Sequence, residues 1–244
     1  MRRRKGITIP PLNEDLAYLC GVLVGDGSIA IREHKKEYLV NCGGNPKDEI
    51  SFYQEVISPL FRKLFSLDVK ARSLGKTYGV VIYSRNLVEF LVERIGLSKS
   101  PKNELNVPKD FYRDQNLLLS FISGIADTDF SFKLRKGAYP VISGCSKSRV
   151  LMEEISSILE KFEFKVCRTF DYKAVDPRLK NGYNIINRID INGHWAFKRW
   201  IDLIGTRHPK NQQKITLWKE RNKNNHRVSS MIQKVIIKSS GGRI

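Results

Sequence analysis

Two aspartates stand at the same point of two similar apolar segments. The segment over 19–27 reads LCGVLVGDG and carries Asp26, and the segment over 122–130 reads ISGIADTDF and carries Asp129. If each segment is a helix, both carboxylates lie at a C-terminal end, where the partial negative charge of the helix disfavours them and where they repel each other. A divalent cation removes both penalties, because carboxylates and main-chain carbonyls are oxygen ligands that Mg²⁺ prefers. We therefore predict that Asp26 and Asp129 lie side by side and bind metal ions, which in phosphodiester cleavage activate water and stabilise the leaving oxygen.

The elements that must position these aspartates are two packed helices. The first is predicted to begin after Asn13, a good N-terminal cap, and to end near Gly25, and the second to run from about Asp114 to Asp127. Each carries small residues four positions apart on one face, namely Gly21 with Gly25 and Gly124 with Thr128. Glycine inside a helix costs about 1 kcal/mol relative to alanine, so its presence predicts a very close neighbour, here the other helix. The alternative, an ordinary Asp-Gly turn after a helix, is weakened because the pattern occurs twice.

The chain repeats itself beyond these segments. Gly21 and Gly124, like Asp26 and Asp129, are 103 residues apart, and each segment is followed by the same pattern of strands and amphipathic helices. Each half is predicted to be α-β-β-α-β-β-α, an α+β layout with antiparallel strands because the connections are short. Pro59 is expected to kink the second helix. The predicted division is a first domain over 10–100, a linker over 101–113, a second domain over 114–227 and a basic tail over 228–244.

The charge of the chain points to a polyanionic partner. Lys and Arg number 43 against 25 acidic residues, a formal net charge of +18. Nucleic acid is the expected partner, since phosphate contacts release counterions, and an anionic membrane surface is the weaker alternative. Neither a signal peptide nor a membrane-spanning apolar run is recognisable, so the sequence predicts a soluble protein of the cell interior, cytoplasmic or organellar. The four cysteines form no Cys-x-x-Cys pair, which argues against zinc.

The two segments and the order of elements around them resemble the LAGLIDADG homing endonucleases. Both match the family motif with Asp26 and Asp129 as its eighth residue, and the likeness covers roughly 10–225 of the chain. It departs from the motif at Phe130, which replaces the final glycine, and at Val24. The resemblance implies a monomer with pseudo-two-fold symmetry, whose two curved antiparallel sheets form a saddle on double-stranded DNA. It also implies an intron-encoded enzyme that makes a staggered double-strand cut in a long asymmetric target.

The family mechanism, carried over residue by residue, implies roles for several positions. Asp26 and Asp129 would bind Mg²⁺ with the carbonyls of Gly25 and Thr128; Mn²⁺ would substitute, and Ca²⁺ would bind without supporting cleavage. Basic groups assisting catalysis would be Lys102 and Lys210, each just beyond the closing helix of its half. Asn45 and Lys147, near the end of the second strand of each half, are the candidates for positioning water.

The strands would read the DNA major groove. The expected contacts of the first half are Arg32, Lys35, Lys36, Arg72, Lys76 and Tyr83. Those of the second half are Lys133, Arg135, Lys136, Arg168, Lys173 and Arg188. Three alternatives remain open: a maturase of the same fold that binds its own intron RNA, a non-catalytic DNA-binding regulator, and a nuclease embedded in an intein. The two intact acids argue against a pure maturase, though not against a protein that both cuts DNA and binds its intron RNA, and they argue against the regulator. The missing splicing residues at the chain ends argue against the third.

Overall fold

The computed structural model describes residues 6–102 and 104–222. The helices are α1 Glu14–Gly25, α2 Ser58–Phe65, α3 Arg85–Glu89, α4 Gln115–Asp129, α5 Arg149–Lys161, α6 His194–Leu203, and α7 over 209–222. The strands are β1 Gly27–Arg32, β2 Glu37–Gly44, β3 Arg72–Leu74, β4 Thr77–Tyr83, β5 Phe130–Leu134, β6 Pro140–Ser146, β7 Val166–Val175 and β8 Tyr183–Asn192. The predicted α-β-β-α-β-β-α order is confirmed in both halves, and the predicted basic tail over 228–244 lies outside the described residues.

Helices α1 and α4 run through the centre of the molecule. The Asn13 side chain caps α1 by accepting a hydrogen bond from the Leu16 amide at 2.9 Å, and Asp114 caps α4 through the Asn116 amide at 2.8 Å. Residues 16–24 of α1 are all buried, which explains why this segment is apolar on every side. Helix α4 continues two residues beyond the predicted end, so that Asp129 is its last residue.

The glycines of α1 and α4 allow the two backbones to touch. A Cβ atom added to Gly21 would lie 2.1 Å from the Phe121 carbonyl oxygen, and one added to Gly124 would lie 2.1 Å from the Tyr18 carbonyl oxygen. Both positions are backbone against backbone, where no side chain can move aside. The close approach predicted from the small residues is therefore present, with each helix meeting the other through its glycine.

The eight strands form two antiparallel sheets of matching topology. Their orders are β1-β2-β4-β3 and β5-β6-β8-β7. One face of each sheet packs on the helices through alternate residues such as Val40, Val80, Phe132 and Ile189, which are at most 2% exposed. The residues that alternate with these, such as Lys133 and Arg188, lie on the other face, which we call the open face. The first sheet is the smaller one, because β3 spans three residues and its counterpart β7 spans ten.

Three local features add to the predicted order. Pro59 is the second residue of α2 and directly follows a π-helical turn over Phe52–Ile57, and the kink expected there stays a prediction. Strand β3 begins at Arg72 and spans only three residues. Helix α7 was not predicted; it packs on the second half through Trp218, whose ring centroid lies 5.1 Å from that of Phe197.

The residue that replaces the last motif glycine is accommodated by an exchange of sizes across the sheet. In the first half, Gly27 pairs with Cys42. In the second half, Phe130 pairs with Gly144, and a Cβ on Gly144 would lie 2.2 Å from the Phe130 ring. The larger residue of the pair is Cys42 on β2 in the first half and Phe130 on β5 in the second. Each pair therefore still combines a glycine with a larger residue.

Across residues 6–102 and 104–222, no helix combines the length and apolar character that crossing a membrane requires. The proposed division into two domains and a linker remains a prediction. The linker packs against the second half, since Ser148 Oγ exchanges hydrogen bonds with the amide and carbonyl of Leu105 at 3.2 and 2.8 Å.

Candidate active site

The C-terminal ends of α1 and α4 bring Asp26 and Asp129 together. A Cβ on Gly25 would lie 2.0 Å from Thr128 Oγ1 and 3.4 Å from the carboxyl carbon of Asp129. The Asp26 amide still donates to the Val22 carbonyl at 3.1 Å, so this aspartate caps its helix. The juxtaposition predicted from the sequence is therefore present, and its immediate cause is the close packing of the small residues in the preceding turn.

The two carboxyl groups are held in an environment that disfavours their charge. Burial, followed by the charge of Asp129 and that of Glu49, raises the pKa of Asp26 to about 7. Burial raises the pKa of Asp129 to about 6, against the opposing effect of Lys102. Two half-buried acids of this kind are deficient in positive charge, which a cation would supply.

The raised pKa values predict how stability depends on pH without metal. The folded protein retains the Asp26 proton up to about pH 7, while an ordinary aspartate loses it near 3.8. Since the folded state binds more protons in this window, the free energy of unfolding should fall as pH rises from about 4 to 7, by roughly 1–4 kcal/mol. Denaturant titrations in chelator should show this fall, and Asp26→Asn should flatten it. An unchanged slope in the variant would contradict the assignment.

Lys102 also lies at the end of α1, and its positive charge acts to lower the pKa of both Asp26 and Asp129. Its ammonium donates to the carbonyls of Leu23 at 2.9 Å, Val24 at 2.6 Å and Gly25 at 2.8 Å, which are the free carbonyls at the end of α1. Burial lowers the pKa of Lys102, while Asp129 and Asp26 both act to raise it. A cation here offsets the helix dipole and part of the carboxylate charge.

Lys210 does not repeat this arrangement in the second half. Its ammonium pairs with Asp48 of the first half at 3.1 Å, and its side chain is 45% exposed. No lysine is bonded to the carbonyls at the end of α4 in the described residues, and Thr128 Oγ1 donates one turn earlier, to the carbonyls of Gly124 and Ile125 at 3.3 and 3.0 Å. The equivalence of the two lysines predicted from their positions therefore does not extend to their contacts.

A further lysine near Lys210 was missed by the sequence reasoning. Lys214 follows one turn later on α7, and burial together with the charges of Lys210 and Lys133 lowers its pKa. No ion pair involves Lys214 in the described part of the chain. Lys133, Lys210 and Lys214 therefore lie near one another, and among the described residues no acidic side chain pairs with Lys214. Lys214 lies on α7, which has no counterpart in the first half, so the duplicated sequence pattern gives no sign of this lysine.

The water-positioning candidates lie at the ends of β2 and β6. Asn45 is exposed, its amide donates to Glu49 at 2.8 Å, and its side-chain oxygen accepts from the Lys47 amide at 2.9 Å. Lys147 is exposed, and its carbonyl accepts from Asn187 at 3.1 Å. Asn45 is therefore committed to its own turn, and Glu49 is the acid of this turn that influences Asp26.

The sequence reasoning also missed Asp127, a buried carboxylate two residues before Asp129. It is 4% exposed and accepts hydrogen bonds from the Tyr18 hydroxyl at 2.7 Å and the Arg207 amide at 2.8 Å. Its other donors are the Thr206 hydroxyl, the His208 amide at 3.1 Å and the Asn211 side chain at 3.2 Å. The residues over 206–211, which we call the clasp, are thereby tied to both central helices.

The clasp also reaches the first half. The His208 ring is 3% exposed and stacks on Phe52 with 4.4 Å between centroids, and its Nε2 lies 3.9 Å from Glu49 Oε1. Arg207 pairs with Asp15 of α1 at 2.6 Å. A segment from the end of the second half is therefore held against the first half, and Asp127 is its anchor.

In the part of the chain that the structure describes, no group of three or more His, Cys, Asp or Glu side chains is arranged as metal ligands. The protein ligands available at the helix ends are the two aspartates and main-chain carbonyls. That is a usual protein contribution for Mg²⁺, which commonly retains water and takes phosphate oxygens as its remaining ligands.

Comparisons with known proteins bear on this arrangement. No family model matches the sequence. A relative, an uncharacterised protein of Methanocaldococcus jannaschii, is 25% identical over 194 residues, a match covering 75% of this chain and 66% of that protein. The chain thus spans just under two thirds of the length of that curated relative.

Solved structures show the same architecture at low sequence identity. I-DmoI in complex with DNA and Mn is 16% identical with a TM-score of 0.53, covering 80% of this chain and 98% of that chain. Full-length DUF199/WhiA from Thermatoga maritima is 10% identical with a TM-score of 0.53, covering 96% of this chain and 71% of that chain. The N-terminal LAGLIDADG domain of DUF199/WhiA is 11% identical with a TM-score of 0.51, covering 82% and 86%.

The chain has the LAGLIDADG fold. The resemblance drawn from the two motifs is confirmed at this level, as is the predicted α+β architecture with two antiparallel sheets. Other solved I-DmoI complexes with target DNA are described with Mg or Ca. In the LAGLIDADG fold of this chain, the site between α1 and α4 lies where β1 and β5 begin, so both open faces extend from it.

Most of the predicted DNA contacts of the LAGLIDADG halves lie on the open faces or at the hairpin tips. Strand pairing places five on the open faces: Arg32, Arg72, Tyr83, Lys133 and Arg188. Five lie at or beside the tips of the hairpins: Lys35, Lys36, Lys76, Arg135 and Lys136. Equivalent hairpins of the two halves, β1-β2 and β5-β6, therefore carry pairs of basic residues at equivalent points.

Two predicted contacts lie on the other side of the second sheet. Arg168 pairs across the strands with Ile189, a core residue, and its guanidinium contacts Glu160 of α5 at 2.6 Å. Lys173 pairs with Ile185, and its ammonium lies 5.2 Å from the centre of the Tyr183 ring. A bulge between Thr169 and Tyr172 changes the alternation along β7, which the sequence pattern could not reveal. Both residues are therefore removed from the predicted DNA surface.

Proposed function

We propose that this protein is a metal-dependent DNA endonuclease that cuts both strands of a long, asymmetric duplex. The observation that carries the proposal is the meeting of Asp26 and Asp129 at the ends of α1 and α4, with a raised pKa on each. The site lies between two sheets whose open faces carry basic residues, and the chain has a net charge of +18. Such a charge favours a polyanion along the open faces.

The site fits a divalent cation. Asp26, Asp129 and the neighbouring Thr128 carbonyl would hold it, with Mg²⁺ as the expected ion, Mn²⁺ as a substitute and Ca²⁺ as an ion that binds without supporting cleavage. When bound, the metal supplies activation of a water molecule and stabilisation of the leaving oxygen. The Gly25 carbonyl, also predicted as a ligand, accepts a hydrogen bond from Lys102, so this lysine and a metal would compete for it.

The chain's own residues provide the electrostatic setting. The aspartates orient the reacting groups at a fixed point, because each is held by the last turn of a buried helix. Lys102 places a positive charge beside both aspartates, where negative charge develops on the phosphate. On the second half, Lys210, Lys214 and Lys133 supply positive charge from the surface. The proposed particle is a monomer, because both motifs are present in one chain.

Other functions of the same fold make different predictions. Structures of WhiA share this fold, so a DNA-binding protein without cleavage is the second candidate. The two juxtaposed aspartates favour cleavage, because a protein that only binds DNA gains nothing from two carboxylates at its centre. A maturase that binds its own intron RNA would retain the charge and need neither acid.

The test is direct cleavage of a duplex library with randomised central sequence. The full-length protein is incubated with the library in Mg²⁺, in Ca²⁺ and in chelator, and the cut ends are sequenced. We expect one family of cut sites in Mg²⁺ with 3′ overhangs, and none in the other two conditions. Binding of duplexes without cutting in any metal would favour the DNA-binding protein, and failure to bind any duplex would favour the maturase.

The two basic candidates should differ in their importance. Lys102→Met should reduce cleavage by roughly 10²-fold, because a buried charge beside both aspartates is lost. Lys210→Met should reduce it by no more than about 5-fold, because an exposed ion pair contributes little. Single-turnover rates on a duplex with each strand labelled measure both, with melting temperature as the control for folding. Equal losses for the two variants would contradict the asymmetry.

A further inference from the structure

One arginine on the open face of the second sheet is held in place by an acid. Arg188 on β8 donates to Asp190 Oδ1 through Nε at 3.1 Å and Nη2 at 2.8 Å. The two residues are two apart on one strand and so point to the same face. The Arg188 side chain is 38% exposed and that of Asp190 is 17% exposed. The guanidinium is therefore oriented, and its remaining donors point away from Asp190.

The first sheet has nothing comparable at the equivalent place. The equivalent residues of β4, by their pairing with β2, are Gly79 and Val81. Gly79 lies against the backbone of β2, since a Cβ there would be 2.1 Å from the Cys42 carbonyl oxygen. The open faces of the two halves therefore differ at the same strand position: β4 has a glycine and a valine there, with Arg72 beside Gly79 on β3, and β8 has an arginine with its acid.

The carboxylate of Asp190 makes a base edge a better partner for Arg188 than a phosphate. An arginine that contacts phosphate gains from an undiminished positive charge, and a nearby carboxylate would repel the phosphate. Asp190 largely neutralises Arg188 but leaves free both donors of Nη1 and the second donor of Nη2. Those donors match the O6 and N7 acceptors of guanine in the major groove. These acceptors carry no net charge, and an oriented guanidinium can donate to both at once.

Strand pairing places Arg188 close to the candidate active site. Asp129 directly precedes β5, whose first residue pairs with Gly144 of β6. The next residue of β6, Cys145, pairs with Arg188. Two strand spacings separate β8 from β5, a lateral distance of about 10 Å. Arg188 therefore faces a base pair near the point of cleavage in the second half.

We propose that Arg188 reads a guanine in the half of the target bound by the second sheet, and that Asp190 is the residue that positions it. The proposal rests on the proposed function, because it takes the open faces as the DNA surface. It also implies an asymmetric target, because β4 has no arginine at the position equivalent to Arg188.

The experiment selects bound sequences from a randomised duplex library with the full-length protein in chelator, so that binding is measured without cleavage. The wild-type pool should contain one position in one half with a roughly 10- to 100-fold preference for guanine. Arg188→Ala and Arg188→Lys should both lose the preference at that position only, because lysine retains the charge but not the fork. Asp190→Ala should weaken it several-fold at the same position.

The matched control is Arg168→Ala, which removes another arginine paired with a carboxylate, on the covered side of the same sheet. Its pool should equal that of the wild type, and melting temperatures should establish that all variants are folded. Three outcomes would overturn the proposal: no guanine preference in the wild-type pool, an unchanged pool for Arg188→Lys, or a uniform loss of binding with a reduced salt dependence, which indicates a phosphate contact. A guanine preference that depends on Arg188, in a protein that does not cut DNA, would refute the nuclease and leave this inference standing.

Discussion

Asp26→Asn and Asp129→Asn should each reduce double-strand cleavage by roughly 10³-fold or more, with DNA affinity changed by less than about 5-fold. Each variant removes one of the two carboxylates at the helix ends, and an amide is a much weaker metal ligand than a carboxylate. Since the side chains are equal in size, the packing of α1 on α4 should persist. Affinity depends on phosphate contacts elsewhere on the open faces, and removing a negative charge does not weaken these.

The measurement is the single-turnover rate for each strand of a labelled target in Mg²⁺, with affinity measured in Ca²⁺. Glu14→Gln is the matched control, because it neutralises an acid at the opposite end of α1 and should cut at the wild-type rate. The two aspartate variants should also be more stable than the wild type in chelator at pH 8, since the burial that raises the pKa of Asp26 to about 7 opposes its ionisation. Cleavage of both strands at the wild-type rate by either variant would refute the shared site.

Asp127→Ala should have the largest effect on folding, a loss of roughly 3–5 kcal/mol in the free energy of unfolding. The carboxylate is 4% exposed and accepts hydrogen bonds from two backbone amides of the clasp, at 2.8 and 3.1 Å. Its removal leaves the Arg207 amide and the Tyr18 hydroxyl without this acceptor, and the His208 amide with only the Thr206 hydroxyl. Because the clasp carries Lys210 and holds His208 against the first half, its release should also lower cleavage.

Denaturant unfolding measures this loss, and two variants calibrate it. Asp114→Ala removes an aspartate that only caps α4 and should cost about 1 kcal/mol. Asp127→Asn should lie between the two, because its amide retains one acceptor and turns a donor toward other donors. A loss for Asp127→Ala no greater than that for Asp114→Ala would show that the clasp is held by its apolar contacts alone.

The sequence by itself determined the duplicated fold and the meeting of two acids. Small residues at Gly21 and Gly124 can be explained only by backbone contact, and the matching position of Asp26 and Asp129 follows from the repeat. These features are local and periodic, so they can be detected from the order of residues in the sequence. The order of strands and helices followed for the same reason, because alternation and helical spacing are properties of neighbouring residues.

What only the tertiary structure decided are contacts between residues far apart in the chain. Lys102 and Lys210 occupy matching positions in sequence, yet one lies on the carbonyls of α1 and the other pairs with Asp48. Asp127 receives most of its hydrogen-bond donors from the clasp, about 80 residues later in the chain. The face on which Arg168 lies follows from its pairing with β8, and that of Lys173 follows also from the bulge in β7. Such contacts depend on which distant segments the fold brings together, and the pattern of neighbouring residues does not contain that information.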